Sequence, residues 1–346
     1  MTIDAEAPEA TLMAAEVAQA PAAVARMLAG NAGAAAELGR ALRDAPPDVV
    51  VTCARGSSDH AATYGKYLIE TLVGVPVASA APSVASIFAA PVATRRALAI
   101  AISQSGRSPD LIASAEAQRA GGARLVALVN DEGSALAGAA DVLLPLRAGP
   151  ERSVAATKSC IAAMAGLAQL VAHWSADAVL LAALDALPEL LDRAVALDWD
   201  AAIEPLAGVE RMFVLSRGYG LGIAGEAALK LKETSAIQAE PFSSAEVRHG
   251  PMTIIGPGFS ILAFAGSDAA GEDVRDACAL FAERGAAVLL ATAGEDAPPL
   301  PALAAHPAIE PILMLASFYR LAERLARARG RDPDRPPHLS KVTRTR

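Results

Sequence analysis

The sequence is poor in cysteine and aromatic residues, and it has no apolar run long enough to cross a membrane. Its 346 residues include only 3 cysteines, which are scattered and flanked by apolar residues. This excludes a disulfide framework and a zinc site, and it predicts buried structural thiols in a reducing cytoplasm. The longest apolar run, residues 160–172 with Gln169 inside it, is shorter than the roughly 18 residues of a membrane span. We therefore expect no membrane partner.

Positive charge is also scarce. The formal net charge is −8, and nucleic acid as the main partner would demand a basic face, so we expect no nucleic acid. Asp4, Glu6 and Glu9 stand where a secretory signal needs basic residues and an apolar block, so we expect no export and a cytoplasmic protein. A small anionic ligand is still allowed, because it needs only local positive groups such as helix termini.

The sequence does have enough length and apolar content for two domains. With 53% hydrophobic residues, a chain of this length exceeds the usual size of one core. A shift of 162 residues lays the strand that ends at Arg55 on the strand that ends at Arg217, and it lays two later strands on two others. Agreement of three registers at one offset predicts an internal repeat.

Within each copy, apolar strands alternate with helical segments. This pattern predicts right-handed βαβ units and an α/β fold of two tandem domains, each a flavodoxin-like or Rossmann-like parallel sheet flanked by helices. The predicted organisation is an N-terminal helical arm (1–43), a first domain that binds phosphate (44–176), a helical connector (177–204), a second domain (205–330) and an extended C-terminal tail (331–346).

One turn of the first copy predicts a phosphate cradle. The apolar strand 97–102 runs directly into the hydroxyl-rich turn 103–108, and Pro109 follows at the first position of a predicted helix. Free N–H groups at a helix N-terminus attract anions, and the serines would add hydroxyl donors. The alternative is a serine-rich cap that satisfies only its own helix. The equivalent turn 265–268 of the second copy has lost most hydroxyls and gained an acid, so we expect only the first copy to bind the anion.

Lysine is rare, since arginine outnumbers it by 25 to 5, and the remaining lysines are candidates for amine chemistry. Lys230 and Glu233 are three residues apart on a predicted helix and therefore share a face. A carboxylate beside a cation is suited to act as a base, although an ordinary helix salt bridge is the alternative. His249 lies in a loop defined by Gly250 and Pro251. It is suited to proton transfer near neutrality, or it is a hydrogen-bonded structural residue.

The sequence contains the glycine spacing of a dinucleotide-binding fingerprint. Gly220, Gly222 and Gly225 follow a predicted strand, and Glu240 comes twenty residues after the first glycine. We predict no dinucleotide here, because the acid should close a second strand whereas residues 240–244 are predicted to be a loop. In addition, three residues separate the first strand from the first glycine.

The order and spacing of six segments carry a family resemblance. The segments are Arg55-Gly-Ser-Ser58, Ser103-Gln-Ser-Gly106, Val154-Ala-Ala-Thr-Lys158, Ala228-Leu-Lys-Leu-Lys-Glu233, Glu246-Val-Arg-His-Gly-Pro251 and Leu339-Ser-Lys341. Together they resemble tandem sugar isomerase (SIS) domains, in the arrangement of the isomerase half of glucosamine-6-phosphate synthase and its relatives lacking the glutaminase half. The resemblance covers nearly the whole chain.

The resemblance implies roles for particular residues. Glu233 would carry the proton between C1 and C2 of a hexose 6-phosphate, with Lys230 assisting. His249 would open the sugar ring, reaching in from the neighbouring subunit of a homodimer with a shared active site. Lys341 would line the site and could form an imine. The phosphate would be held by Ser58, Ser103, Gln104, Ser105 and Ser108, and the substrate would be lined by Gly56, Ser57, Val154, Ala156 and Thr157.

The sugar isomerisation that the resemblance implies needs no metal and no cofactor, since one positioned base and electrostatic support of the intermediate suffice. Arg55, Ala156 and Arg107 depart from the cysteine, serine and acid of the synthase, which leaves the sugar open. Because the glutaminase half is absent, we expect a glucosamine-6-phosphate deaminase. The alternatives are amination by free ammonia, isomerisation of a galactosamine or tagatose phosphate, a fructosamine-phosphate deglycase, a non-catalytic phosphosugar sensor and, furthest from the motifs, a nucleotide-dependent oxidoreductase.

Overall fold

Two five-stranded parallel sheets organise the computed structural model, which describes residues 10–293 and 300–341. In the first sheet the strand order is β2-β1-β3-β4-β5. Its central strand, β3, is buried at every residue because helices cover both faces of the sheet. The strands are β1 (Val49–Cys53), β2 (Val77–Ser79), β3 (Ala97–Ser103), β4 (Arg124–Val129) and β5 (Val142–Leu143).

The second sheet repeats the first. Its order, β10-β9-β8-β6-β7, is the same topology read from the other edge. The 162-residue offset lays β1, β3 and β4 on β6, β8 and β9, so the predicted repeat and the predicted α/β class are confirmed. The strands are β6 (Arg211–Ser216), β7 (Gln238–Ser243), β8 (Ser260–Ala265), β9 (Ala287–Ala293) and β10 (Leu300–Ala302).

Helices cover both sheets and fill the space between them. Short stretches of 3-10 helix lie at Asp200–Ala202, Gly218–Gly220, Glu246–Arg248 and Pro251–Ile254. The α-helices are α1 (Leu12–Ala18), α2 (Ala20–Asp44), α3 (Ser57–Leu72), α4 (Pro82–Ser86), α5 (Pro109–Ala120), α6 (Ala135–Ala139), α7 (Lys158–Ser175), α8 (Ala178–Ala196), α9 (Ile203–Ala207), α10 (Leu221–Ser235), α11 (Ala269–Glu283) and α12 (Glu310–Ala328).

The two halves pack together through α3 and α10. A Cβ added to Gly222 would stand 2.5 Å from the carbonyl oxygen of His60, and one added to Gly225 would stand 2.5 Å from His60 Nδ1. Glycine is therefore required at both positions for α10 to approach α3 this closely. The Tyr64 hydroxyl of α3 also donates to the carbonyl oxygen of Ala308 at 2.6 Å, which adds a hydrogen bond between the halves.

The prediction of a loop at residues 240–244 is wrong for most of that segment. Glu240 lies in β7, where it pairs with Phe213 of β6. β7 is an edge strand, so Pro241 removes no bond from a second neighbour, and proline is tolerated there. Two glycines of the apparent dinucleotide fingerprint, Gly222 and Gly225, serve the contact between α3 and α10 described above, whereas a Cβ at Gly220 would meet Ser216 Oγ.

Among the helices described here, none combines the length and the apolar character that crossing a membrane requires.

Candidate active site

A cavity of about 330 Å³ opens at the carboxyl ends of β1 and β3. The chain leaves β1 toward one edge of the sheet and leaves β3 toward the other, and ligands of such sheets bind at this switch point. The turns that follow the two strands supply most of the wall, while Ala156 and Lys341 come from other parts of the chain. The lining is Arg55, Gly56, Ser57, Ser58, Ile102, Ser103, Gln104, Ser105, Ser108, Leu111, Ala156 and Lys341.

The turn after β3 is shaped by its own serines. The backbone N–H of Gly106 donates to Ser103 Oγ at 2.9 Å, and the N–H of Arg107 donates to Ser105 Oγ at 3.3 Å. Ser108 occupies the N-cap of α5, yet its side chain accepts no capping bond from that helix, and Pro109 is the first helical residue. The cap interpretation therefore does not account for the Ser108 hydroxyl, which lines the cavity.

Gly106 fixes the shape of this turn. Its φ of +62° lies in the left-handed region that side chains disfavour. A Cβ added there would stand 2.1 Å from Ser134 Oγ, so the position has no room for a side chain either. Ser134 in turn caps α6, where its hydroxyl accepts from the N–H of Ala137.

In the second sheet, the protein's own carboxylate occupies the position equivalent to the cradle. Ser267 is the repeat counterpart of Ser105, and its N–H donates to Glu310 Oε2 at 2.8 Å. The other carboxylate oxygen accepts from the N–H of Ala305 at 3.1 Å, and Glu310 is fully buried. At the turn of the second sheet, a negative charge is therefore supplied from within the chain.

An arginine–aspartate pair recurs in both copies. Arg55 Nη2 lies 3.0 Å from Asp110 Oδ2 in the first copy, and Arg217 Nη1 lies 2.8 Å from Asp273 Oδ2 in the second. Arg55 additionally borders the cavity, so its guanidinium adds positive charge at the site. Arg107, the other arginine that differs from the synthase motif, pairs instead with Asp131 on the surface.

Lys341 reaches the cavity from the C-terminal tail and is held by Glu151. Its Nζ lies 3.1 Å from Glu151 Oε2, and the Glu151 side chain is completely buried. That carboxylate also accepts from the hydroxyl and N–H of Ser159 and from the N–H of Thr157, at the start of α7. Burial acts to raise the pKa of the Glu151 carboxyl, but Lys341 and these donors outweigh it, so its pKa lies below the ordinary value.

A buried charge network lies on α10. Lys230 Nζ is 3.5 Å from Glu226 Oε1, one turn earlier, and it forms a second, close ion pair with Glu233 Oε2. Burial opposes the charged form of Lys230, yet the two carboxylates raise its pKa above the ordinary value. Lys230 is therefore an ammonium ion near neutral pH and acts as a charge rather than as an amine nucleophile.

Glu226 connects this network to the cavity. Burial raises the pKa of its carboxyl to about 7, against the opposing effect of Lys230. Glu226 Oε1 accepts from the hydroxyl of Tyr319 at 2.8 Å, and the Ser57 side chain, at the cavity wall, lies beside the same carboxyl. The Cys160 thiol donates to the carbonyl oxygen of Ser57 at 3.4 Å.

His249 lies at an exposed turn. Its N–H donates to the carbonyl oxygen of Glu246 at 2.9 Å. The turn is tied to α11 by Asp273, which accepts from the Ser244 hydroxyl and pairs with Arg248.

The structure brings most of the predicted site residues together. Val154 donates its N–H to the carbonyl oxygen of Asp334, and Thr157 is buried at the N-cap of α7, so both stand behind the wall. Lys230, Glu233 and His249 also lie outside the lining within the single chain. The predicted residues that do line the cavity are Gly56, Ser57, Ser58, Ser103, Gln104, Ser105, Ser108, Ala156 and Lys341.

Three polar residues of the site are absent from the sequence predictions. Glu226 stands four residues before Lys230, a helical spacing that predicts a contact between the two. Glu151 precedes the Val154–Lys158 segment and carries no signal of its own. Tyr319 is brought to Glu226 from 93 residues away.

The three cysteine thiols are buried, and their raised pKa values disfavour the reactive thiolate form. Burial raises the pKa of Cys53 to about 11 and that of Cys278 to about 12, and it raises the pKa of Cys160 as well. Over residues 10–293 and 300–341, no three His, Cys, Asp or Glu side chains are grouped to share a metal ion.

Comparison with known proteins identifies the fold and its relatives. The SIS domain family matches residues 45–173 and 206–310. A glutamine–fructose-6-phosphate aminotransferase (isomerizing) of Aeropyrum pernix is 34% identical over 311 residues, which cover 83% of this chain and 49% of that protein. The chain thus spans about half the length of the curated relatives it matches.

Solved structures share the whole architecture. A protein of Silicibacter pomeroyi, provisionally assigned as a phosphosugar isomerase, superimposes with a TM-score of 0.88 at 41% identity, covering 94% of this chain and 100% of its own. The C-terminal domain of a glucosamine-fructose-6-phosphate aminotransferase from Francisella tularensis superimposes with a TM-score of 0.84 at 24% identity, covering 97% and 100%. The second of these shows likeness of fold alone.

Proposed function

Because the chain belongs to the SIS domain family, with two SIS segments homologous to the isomerase half of the aminotransferases, we propose that it is a phosphosugar isomerase. We propose further that its substrate is an amino hexose 6-phosphate. The observation that carries the proposal is the serine-lined cavity at the switch point of the first sheet, with a carboxylate and ammonium network on the adjoining α10.

The cavity has the chemistry of a phosphate site. The turn after β3 leads into a 12-residue helix, so the positive end of the helix dipole and its free N–H groups face the cavity. Ser58, Gln104 and Ser108 add side-chain donors to the same wall, and Arg55 adds a cation. Binding energy from the phosphate would hold the reacting carbons in place, well away from the phosphate itself.

Glu233 is the proposed base. It would remove the proton from C2 of the open-chain aldose and return it to C1, through an enolamine whose developing negative charge is on the C1 oxygen. The close ion pair with Lys230 fixes the carboxylate, and the ammonium of Lys230 supports negative charge in a buried setting. This step needs one base and moves one proton between adjacent carbons.

For glucosamine 6-phosphate, protonation at C1, with transfer of a proton from the nitrogen to the C1 oxygen, leaves an imine at C2 and a hydroxyl at C1. Addition of water to that imine, followed by loss of ammonia, gives fructose 6-phosphate. We propose this deamination as the specific reaction.

Ring opening and the role of the partner subunit are part of the same proposal. His249 is exposed on a turn anchored by Asp273, so it is accessible to a second copy of the chain. We propose a homodimer in which His249 of one subunit opens the sugar ring bound by the other. Lys341, whose ammonium borders the cavity, would stabilise the open-chain form or join it as an imine.

The decisive experiment is an assay of ammonia release from glucosamine 6-phosphate. Glu233→Gln should lower kcat by about 10²-fold or more, since general base catalysis contributes that much. Glu240→Gln is the matched control, because this exposed glutamate on the adjacent β7 should leave turnover unchanged. Turnover of a different hexose 6-phosphate without ammonia release would remove the deaminase and leave the isomerase.

Amination of fructose 6-phosphate by free ammonia is the second candidate. The observation in its favour is the 34% identity to an isomerizing aminotransferase. The same assay run in reverse, with labelled ammonia and fructose 6-phosphate, separates the two directions by their rates. If every hexose 6-phosphate tested raises the melting temperature but none is consumed, the chain is a phosphosugar sensor instead.

A further inference from the structure

We propose that Asp334 is a positioning residue that holds Lys341 at the cavity by fastening the C-terminal tail to α1. The inference rests on the proposed function for its catalytic consequence, but its structural part stands on contacts alone. It concerns a residue that no motif of the sequence singles out.

Asp334 binds α1 with both carboxylate oxygens. Its Oδ2 accepts from the N–H of Leu12 and its Oδ1 from the N–H of Met13, each at 2.7 Å. These are charge-assisted bonds to backbone groups that have no partner within the helix. The carbonyl oxygen of Asp334 accepts from the N–H of Val154, so the same residue also contacts the loop that precedes α7.

α1 is tied to that loop independently. Glu16 is buried and accepts from the N–H groups of Arg152 and Ser153. Burial raises the pKa of the Glu16 carboxyl, although the Arg152 N–H opposes this. Glu151, the partner of Lys341, immediately precedes Arg152 in this loop. Asp334, Glu16 and Glu151 therefore form one structure, here called the clasp, which joins α1, the loop 150–157 and the tail.

The segment between the two tail anchors is mostly exposed. From Arg335 to Ser340, only Pro336 is buried, so this segment follows the positions of Asp334 and Lys341. Pro336 and Pro337 restrict the backbone, and the N–H of Leu339 donates to the carbonyl oxygen of Pro336 at 3.4 Å. His338 has a φ of +66°, a strained value that persists only where flanking contacts hold the chain.

The test measures the reactivity of the Lys341 amine without using turnover. Trace acetylation followed by mass spectrometry gives the labelling rate of Lys341 relative to Lys66, a surface lysine on α3 that serves as internal reference. In Asp334→Asn and Asp334→Ala the ratio should rise about tenfold, because the tail loses its charged anchor and Lys341 separates from Glu151 more often. Asp332→Asn is the matched control, since Asp332 accepts only from the N–H of Asp334 among the contacts described, and its ratio should be unchanged.

The second readout is kinetic. Asp334→Asn should lower kcat/KM for the turned-over phosphosugar while the melting temperature stays within the range of Asp332→Asn. An unchanged labelling ratio in both Asp334 variants overturns the positioning role. A raised ratio in a protein that turns over no phosphosugar supports the positioning role and counts against the proposed function, so the two failures are distinguishable.

Discussion

Lys230 Nζ lies 3.5 Å from Glu226 Oε1, and each of the two side chains is only 1% exposed. Glu226 carries a pKa raised to about 7 by burial, whereas its ordinary value is 4.5. At a pH between 4.5 and about 7, the Glu226 carboxyl is therefore protonated in the folded protein but ionised in the unfolded chain. A titration near neutrality is thereby built into the network that holds Glu233.

The first prediction concerns the pH dependence of stability. The contribution of Glu226 is favourable below pH 4.5 and is lost as the pH rises toward about 7 and beyond. The free energy of unfolding of the wild type should therefore fall relative to Glu226→Gln over this range, by at most about 1.4 kcal/mol per pH unit. Urea denaturation of both proteins at pH 5, 6, 7 and 8 measures the difference. Parallel curves would contradict the raised pKa.

The second prediction separates a ligand-binding serine from a capping serine. Ser108→Ala should raise KM for the phosphosugar by about tenfold with little loss of stability, because its hydroxyl makes no capping bond. Ser134→Ala should do the opposite, with unchanged KM and a loss of about 1 kcal/mol, because Ser134 caps α6. Steady-state kinetics and urea denaturation of both variants test the pair. Equal KM values would place the phosphate elsewhere.

The third prediction concerns the turn after β3. Gly106→Ala combines a positive φ with a Cβ placed 2.1 Å from Ser134 Oγ, so it should destabilise the protein by more than about 2 kcal/mol and weaken phosphosugar binding. Gly74→Ala is the control, because Gly74 has a φ of +80° but open space where an added Cβ would stand. It should lose only about 1 kcal/mol and keep its KM. Similar losses in both variants would mean that Ser134 yields to the added methyl group.

The fourth prediction concerns the internal carboxylate of the second sheet. Glu310→Ala leaves the part-buried N–H groups of Ser267 and Ala305 without their carboxylate acceptor, at a cost of about 1 to 3 kcal/mol in unfolding free energy. Glu310→Gln keeps one acceptor oxygen and should lose less. Denaturation midpoints order the three proteins as wild type, then Gln, then Ala. An alanine variant as stable as the wild type would show that water satisfies both groups.

The sequence predicts the central strands well because their signal is local. The run that forms β3, the proline that starts α5 and the repeat at an offset of 162 all appear as short patterns. β7 is different, since its proline and charged residues are tolerated only because it is an edge strand, and edge position is a property of the whole sheet.

The candidate site likewise has a part that the sequence predicts and a part that it does not. The cavity wall follows from motifs at strand ends, whereas the contacts behind it join distant segments. Lys341 and Glu151 are 190 residues apart, and Tyr319 and Glu226 are 93 apart. Such pairs leave no periodic trace in a single sequence, because the packing of the whole fold brings them together.

The occupied turn of the second sheet has a consequence for ligand stoichiometry. A duplicated unit would ordinarily offer two equivalent positions for an anion, but Glu310 already satisfies the donor at Ser267. Titration calorimetry with a hexose 6-phosphate should therefore saturate at one molecule per chain. In a dimer the saturating ratio would be two, and any departure from independent filling would report communication between subunits rather than between the halves of one chain.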